Sequence, residues 1–325
     1  MKLFLAPLAG FTDAPFRRLC REGGADLVYT EMVSAAALFH GSSPTRHLME
    51  TMPGEGPVAC QIFGREEKEI AFAAAEIEKI KDRFVEINLN AGCPMPRIVE
   101  SGCGAKLMED PSLIFRLLKA MRENTSLPAT LKTRLGMHKA EPVVMELLDA
   151  AEKAGASRFI LHARSAGQKH GGPVDLEALA EVARRATIPV CGNGSVSTKA
   201  GVDAMAAAGV DAVMIGRAAL AEPGIFARLK GIAPGSAASG PEAASRHLEY
   251  ILEFRKMLEE KYPADHVPDE DGFASVKMHT HLFRYFAGLP GAAKMRRGLS
   301  LVRTLAEVRA LLSLAPPPDG EKLPY

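Results

Sequence analysis

Glu86-Ile-Asn-Leu-Asn-Ala-Gly-Cys-Pro-Met-Pro-Arg97 is the stretch that decides the fold. Residues 84–88 read as a short buried strand, whereas Ala91-Gly92-Cys93-Pro94 is turn material that cannot continue it. A thiol just past the carboxyl end of a strand sits where parallel α/β folds keep their reactive groups. If that reading holds, strands and amphipathic helices should alternate on both sides of it.

They do, from the start of the chain to about Ala233. Short β-like runs occur at residues 3–6, 27–31, 58–63, 84–88, 129–134, 159–162, 190–192 and 212–215, with helical runs between them. Eight such repeats in about 230 residues match a (β/α)8 barrel. The helices carry their punctuation. Asp13-Ala14-Pro15 offers a cap and an early-turn proline, Gly23-Gly24 stops the helix it opens, and Thr198 caps a helix that Gly209 ends. The spacing of Ile70, Ala73, Ile77 and Ile80 gives the helix before the quoted stretch one apolar face.

Beyond Ala233 the composition changes. Residues 234–242 are rich in Ser, Ala, Gly and Pro and read as a linker, and 243–325 read as a small helical domain with a Pro-rich tail. The barrel domain is thus 1–233. With 325 residues, 47% of them hydrophobic, the chain can bury a full core. Lys plus Arg number 40 and Asp plus Glu 39, so no net field draws the whole chain to nucleic acid or to an anionic membrane. The five cysteines have no C-x-x-C spacing, which argues against a disulfide framework and a metal site. Neither a signal peptide nor an apolar run of about 18 residues is read in the sequence, so no membrane partner and a cytoplasmic location are expected.

In a barrel the chemistry lies at the carboxyl ends of the strands. Those ends supply Gln61, Asn88 and Cys93, then Lys132 and Arg134, His162 and Arg164, Gly192-Asn193-Gly194, and Gly216-Arg217. Glycine turns after the last two strands suit a phosphate held by backbone N–H groups, with Arg217 as a fork for the anion. Lys132 either meets an anionic ring system or pairs with Glu86 or Glu31. Cys93 has three readings, as a small buried hydrophobe, a nucleophile or a general acid, and Cys103 on the same loop rivals it.

These segments together resemble the tRNA-dihydrouridine synthase family: Ala6 to Asp13, Glu86 to Pro94, Lys132 to Gly136, His162 to Gln168, Gly192 to Gly194, and Ile215 to Arg217. The resemblance implies an FMN enzyme that reduces the C5–C6 bond of specific uridines in tRNA, with NADPH as reductant. Cys93 would be the acid that protonates C5. It implies that Pro7, Ala9, Gln61, Lys132, His162, Asn193, Gly194, Gly216 and Arg217 hold FMN, and that Asn88 and Arg164 face the uracil or the flavin edge. Lys277, His279, His281 and Arg284, with Lys294, Arg296, Arg297 and Arg303, form a basic cluster expected to track tRNA phosphates, and Phe283-Arg-Tyr-Phe286 offers faces for bases. The expected partners are tRNA and NADPH, with no metal, and the chain is expected to be a monomer. Two other classes share the same features. One is an FMN barrel that reduces a small molecule in the manner of dihydroorotate dehydrogenase, and the other a non-catalytic RNA-binding relative. Glycines around Cys93 lead to the expectation that residues 91–105 close over a flipped uridine.

Overall fold

The computed structural model describes residues 1–140, 142–233, 239–287 and 302–313. Nine parallel-paired strands follow in chain order: β1 (Lys2–Leu5), β2 (Leu27–Tyr29), β3 (Val33–Ser34), β4 (Val58–Phe63), β5 (Glu86–Ala91), β6 (Ala129–Arg134), β7 (Arg158–His162), β8 (Val190–Asn193) and β9 (Ala212–Ile215). The order β2-β1-β9-β8-β7-β6-β5-β4 closes on itself where Val28 pairs with Val58, giving the eight-stranded (β/α)8 barrel. β3 is an unforeseen two-residue addition paired to the end of β4.

The strands form where expected, with one shift that matters. β5 starts at Glu86 and runs to Ala91, three residues past the predicted end, because its ladder with β6 continues to Ala91 opposite Thr133. Along β5 the side chains alternate. Ile87, Leu89 and Ala91 join the apolar layer under the helices, and Glu86, Asn88 and Asn90 make their hydrogen bonds inside the barrel. The inner wall combines these polar groups with a compact apolar cluster that includes Phe4, Tyr29, Ile160, Cys191 and Met214. Thus the interior is a packed core.

Two caps read from the sequence are present. Asp13 accepts from the Phe16 amide and Thr198 from the Gly201 amide. The linker is shorter than expected. A helix begins at Gly240, with Pro241 in its first turn where a missing N–H loses nothing, so only 234–239 precede it, and 234–238 lie outside the described residues. Helices Gly240–Lys261, Glu270–Tyr285 and Leu305–Ser313 pack together. The first two dock on the barrel through Arg18 to Glu253 at 2.8 Å, Lys277 to Asp13 at 3.1 Å and an apolar seam containing Phe254, Leu258 and Phe273. A cavity of about 190 Å³ remains in this seam, lined in part by Asp13, Glu31, His47, Phe254 and Lys277. Among the described residues, no helix is long and apolar enough to cross a membrane.

Candidate functional site

The mouth of the barrel is built from the last inward positions of its strands and the loops that follow them. Cys93 lies just beyond β5 and is half-buried. Its loop is held at both ends. Asn90 Oδ1 accepts from the amides of Gly92 at 3.1 Å and Cys93 at 3.0 Å, and the Cys93 carbonyl accepts from Ala105 N at 3.0 Å. Gly104 is required at the second contact. Its φ is +59°, and a Cβ there would lie 2.7 Å from the Cys93 carbonyl oxygen. Cys103 is buried, its thiol is directed at the Ser101 carbonyl, and burial pushes its pKa up.

Asn90 is the residue the sequence reading missed. Asn88 is fully buried one layer lower, between Gln61 and Thr130, where its amide is bonded on both sides. Period-two alternation from Glu86 would have placed Asn90 on the same inward face at the rim. Gln61 has 1% of its surface exposed, and its amide bonds Asn88 and Asn90 from below the mouth.

Lys132 and Arg134 of β6 lie close enough to Cys93 to feel its charge, and His162, Arg164, His170 and Arg217, from β7, the loop beyond it and the helix start after β9, lie close enough to act on that pair. Lys132 donates to Asn193 Oδ1 at 3.3 Å, and Asn193 in turn donates to the Met214 carbonyl at 2.8 Å. Arg134 ties two loops together through the carbonyls of Gly92, Ser165 and Lys169. Arg164 bonds the Gly172 carbonyl and Ser195 Oγ, each at 2.7 Å, and meets His162 Nε2 at 3.3 Å. Among the described residues, no ion pair joins Lys132, Arg134, Arg164 or Arg217 to a carboxylate, which removes the alternative of a Lys132 pair with Glu86 or Glu31.

Unneutralised cations in one partly dry mouth repel each other. Desolvation, then Arg134, lowers Lys132 to about 8. Desolvation lowers Arg134 to about 10, with Arg164 and Arg217 adding to the drop. Desolvation and the neighbouring cations hold His162 far below the usual histidine range and take His170 down to about 4. Both imidazoles are therefore neutral at neutral pH. The arrangement is unfavourable until an anion enters it.

The turns after β8 and β9 complete the concavity. Gly194 has φ +134°, and a Cβ there would lie 2.6 Å from Val174 Cγ1 and 3.1 Å from His162. Ser195 follows with φ 53°. The amides of Gly194, Ser195 and Gly216 meet no protein acceptor among the described residues. Arg217 is exposed beside them. In the loop after β1, Pro7 is half-buried and Ala9 exposed. The residues present therefore fit a phosphate-bearing ligand with a polar ring system, which is what a flavin nucleotide is.

The C-terminal basic cluster does not form one continuous face. Lys277 is held by Asp13, and Glu31 acts on it with the same sign, raising its pKa despite burial. His281 is 1% exposed against Phe16 and His247. Both point into the docking seam, because that side of the helix is where Met278, Leu282 and Tyr285 are buried. Arg284 is exposed and His279 half-exposed, whereas Lys294, Arg296 and Arg297 lie outside the described residues.

A family model described as "Dihydrouridine synthase (Dus)" matches residues 4–316. The "Probable tRNA-dihydrouridine synthase" of Mycobacterium tuberculosis (strain ATCC 25618 / H37Rv) is 32% identical over 95% of this chain and 80% of its own. The protein of the same description from Aquifex aeolicus is 30% identical over 91% of this chain and 90% of its own. The "tRNA-dihydrouridine synthase B" of Xanthomonas campestris pv. campestris is 34% identical over 69% of this chain and 68% of its own.

Proposed function

The chain belongs to the dihydrouridine synthase family, and on that premise we propose that it is an FMN-dependent oxidoreductase that reduces the C5–C6 bond of particular uridines in tRNA. One observation carries this reading: a half-buried thiol stands at the rim of a mouth rich in cations that, among the described residues, no carboxylate neutralises. FMN, when bound there, supplies hydride to uracil C6, and NADPH restores it. The phosphate is assigned to Arg217 and to the free amides around Gly194 and Gly216, and the ring system to Lys132, His162 and Asn193, with Pro7 and Ala9 along the β1 side. Gln61 supports this floor from below.

Cys93 delivers the proton to C5. Arg134 and Lys132, which sense the Cys93 charge, stabilise the thiolate left behind. A base cannot react inside a stack, so the uridine is extruded into the mouth, where it faces Asn90 and Arg164. Arg284, with the basic positions at 294, 296 and 297, tracks tRNA phosphates. The protein acts as a cytoplasmic monomer without a metal.

Incubation with NADPH and tRNA that lacks dihydrouridine, followed by mass spectrometry of nucleosides, should show two hydrogens added at defined positions. Turnover of free uridine or orotate without tRNA would identify a small-molecule reductase instead. Tight tRNA binding by a protein without flavin absorbance would identify a non-catalytic relative.

A pH dependence follows from Lys132. Its ammonium, lowered to about 8, loses its proton as pH rises through that value, and the anion then loses its buried counter-charge. The affinity of the flavin-free protein for FMN, followed by quenching of flavin fluorescence, is expected to fall roughly tenfold between pH 7 and pH 9. In Lys132→Met the affinity is lower throughout and this step is absent.

A further inference from the structure

Beneath Cys93 a single file of buried hydrogen bonds runs down the inside of the barrel. Asn90 Nδ2 donates to Gln61 Oε1 at 2.8 Å, Gln61 Nε2 to Asn88 Oδ1 at 2.7 Å, Asn88 Nδ2 to Thr130 Oγ1 at 2.8 Å, and Thr130 Oγ1 to Glu86 Oε1 at 3.2 Å. Glu86 is itself fixed by the Tyr29 hydroxyl and the Arg158 guanidinium. The file therefore begins under the Cys93 loop and ends on a carboxylate at the barrel floor.

Its direction is forced from the top. Asn90 must turn its carbonyl to the loop, because Gly92 and Cys93 both present N–H groups there. Its NH2 group then faces Gln61, which must offer its carbonyl and turn its own NH2 to Asn88. The same requirement passes through Asn88 to Thr130, whose hydroxyl accepts from above and donates onward. An ionised carboxylate only accepts, so Glu86 ends the file with every donor pointing the same way. Strand pairing builds the rungs, with Gln61 opposite Asn88 and Asn88 opposite Thr130.

We propose that Thr130 and Glu86, which touch neither substrate nor cofactor, are positioning residues for Cys93, acting through this file on the Asn90 amide. The inference rests on the function proposed above for Cys93. Remove the Thr130 hydroxyl, and Asn88 either keeps an unpaired NH2 or flips. A flip propagates through Gln61 and turns the Asn90 NH2 group against the Gly92 and Cys93 amides. The loop then loses its anchor, and the thiol its aim at C5. Displacement of a reacting group by about 1 Å can lower a rate about 100-fold.

The test compares Thr130→Val, of the same shape without the hydroxyl, with Thr130→Ser, which restores it. Thr130→Val is expected to lower kcat for tRNA reduction about 10- to 100-fold with its flavin content and KM for tRNA near wild type. Alkylation of Cys93 by iodoacetamide in the full-length protein, read by mass spectrometry on tryptic peptide 84–97, is expected to quicken several-fold. Cys103 falls in a separate peptide, 98–106, and serves as the internal reference. Thr130→Ser should recover both readouts. The proposal is overturned if Thr130→Val matches wild type in both, or if Thr130→Ser is as impaired as Thr130→Val. Should wild-type protein prove inactive on tRNA, the function proposed for Cys93 fails, while the alkylation comparison still decides whether the file anchors the loop.

Discussion

Cys93→Ala is expected to reduce tRNA uridines about 10²- to 10⁴-fold more slowly than wild type, the range contributed by a positioned general acid, while retaining full flavin content and tRNA affinity. The retention follows from the geometry. Among the described residues, no side chain relies on the Cys93 sulfur for a hydrogen bond, and the loop is held through the backbone of Cys93 by Asn90 and Ala105. Cys93→Ser should recover little, because a hydroxyl is a far weaker acid than a thiol. Cys103→Ala is the decisive companion. Its thiol is buried, raised in pKa and directed at Ser101, so loss of that thiol should change turnover by no more than a few fold. Single-turnover reduction of tRNA after NADPH treatment would measure all three. Equal losses in Cys93→Ala and Cys103→Ala would contradict the assignment of the acid.

These expectations differ in how far the sequence supported them. Strand periodicity and turn chemistry are local, so the barrel and the position of Cys93 at the end of its fourth closing strand could be read directly. The end of β5 could not. Asparagine is depleted from strands, and Asn88-Leu89-Asn90 looked like the start of a loop. In the barrel both amides find partners on neighbouring strands, which is a tertiary effect. Charge has the same limit. The cations of the mouth were legible because they sit at strand ends. By contrast, nothing near Lys277 in the chain announces that Asp13 will hold it across the docking seam. A run of basic residues on a helix gives the composition of its faces, and only packing decides which face stays in water.

The same seam is stapled by a group whose removal should have the largest effect on stability. Arg17 is 1% exposed. It forks onto Glu55 at 2.7 and 3.1 Å and also donates to the carbonyls of Thr12 at 2.8 Å and Glu50 at 2.7 Å. It therefore ties the loop after β1 to the segment before β4, next to the Asp13 and Glu31 carboxylates that receive Lys277. Arg17→Met fills similar space but leaves Glu55 buried without its cation and two carbonyls without donors. Unfolding in urea should show a loss of about 3–5 kcal/mol, the range for removing one partner of a buried pair. The deficit depends on pH in a defined direction. Burial already raises the Glu55 pKa against the opposing pull of Arg17, and without Arg17 it rises further. A carboxyl whose folded pKa lies above its unfolded value of about 4.3 destabilises the fold only where it must be ionised. The penalty is therefore full above the folded pKa and shrinks as pH falls towards the unfolded one. Arg17→Met with Glu55→Leu, which removes both charges, should recover most of the loss, since replacing a buried pair by apolar groups is often close to neutral. If the double variant is no more stable than the single one, the loss comes from the Thr12 and Glu50 carbonyls instead, and Arg17 acts on the fold chiefly by satisfying backbone.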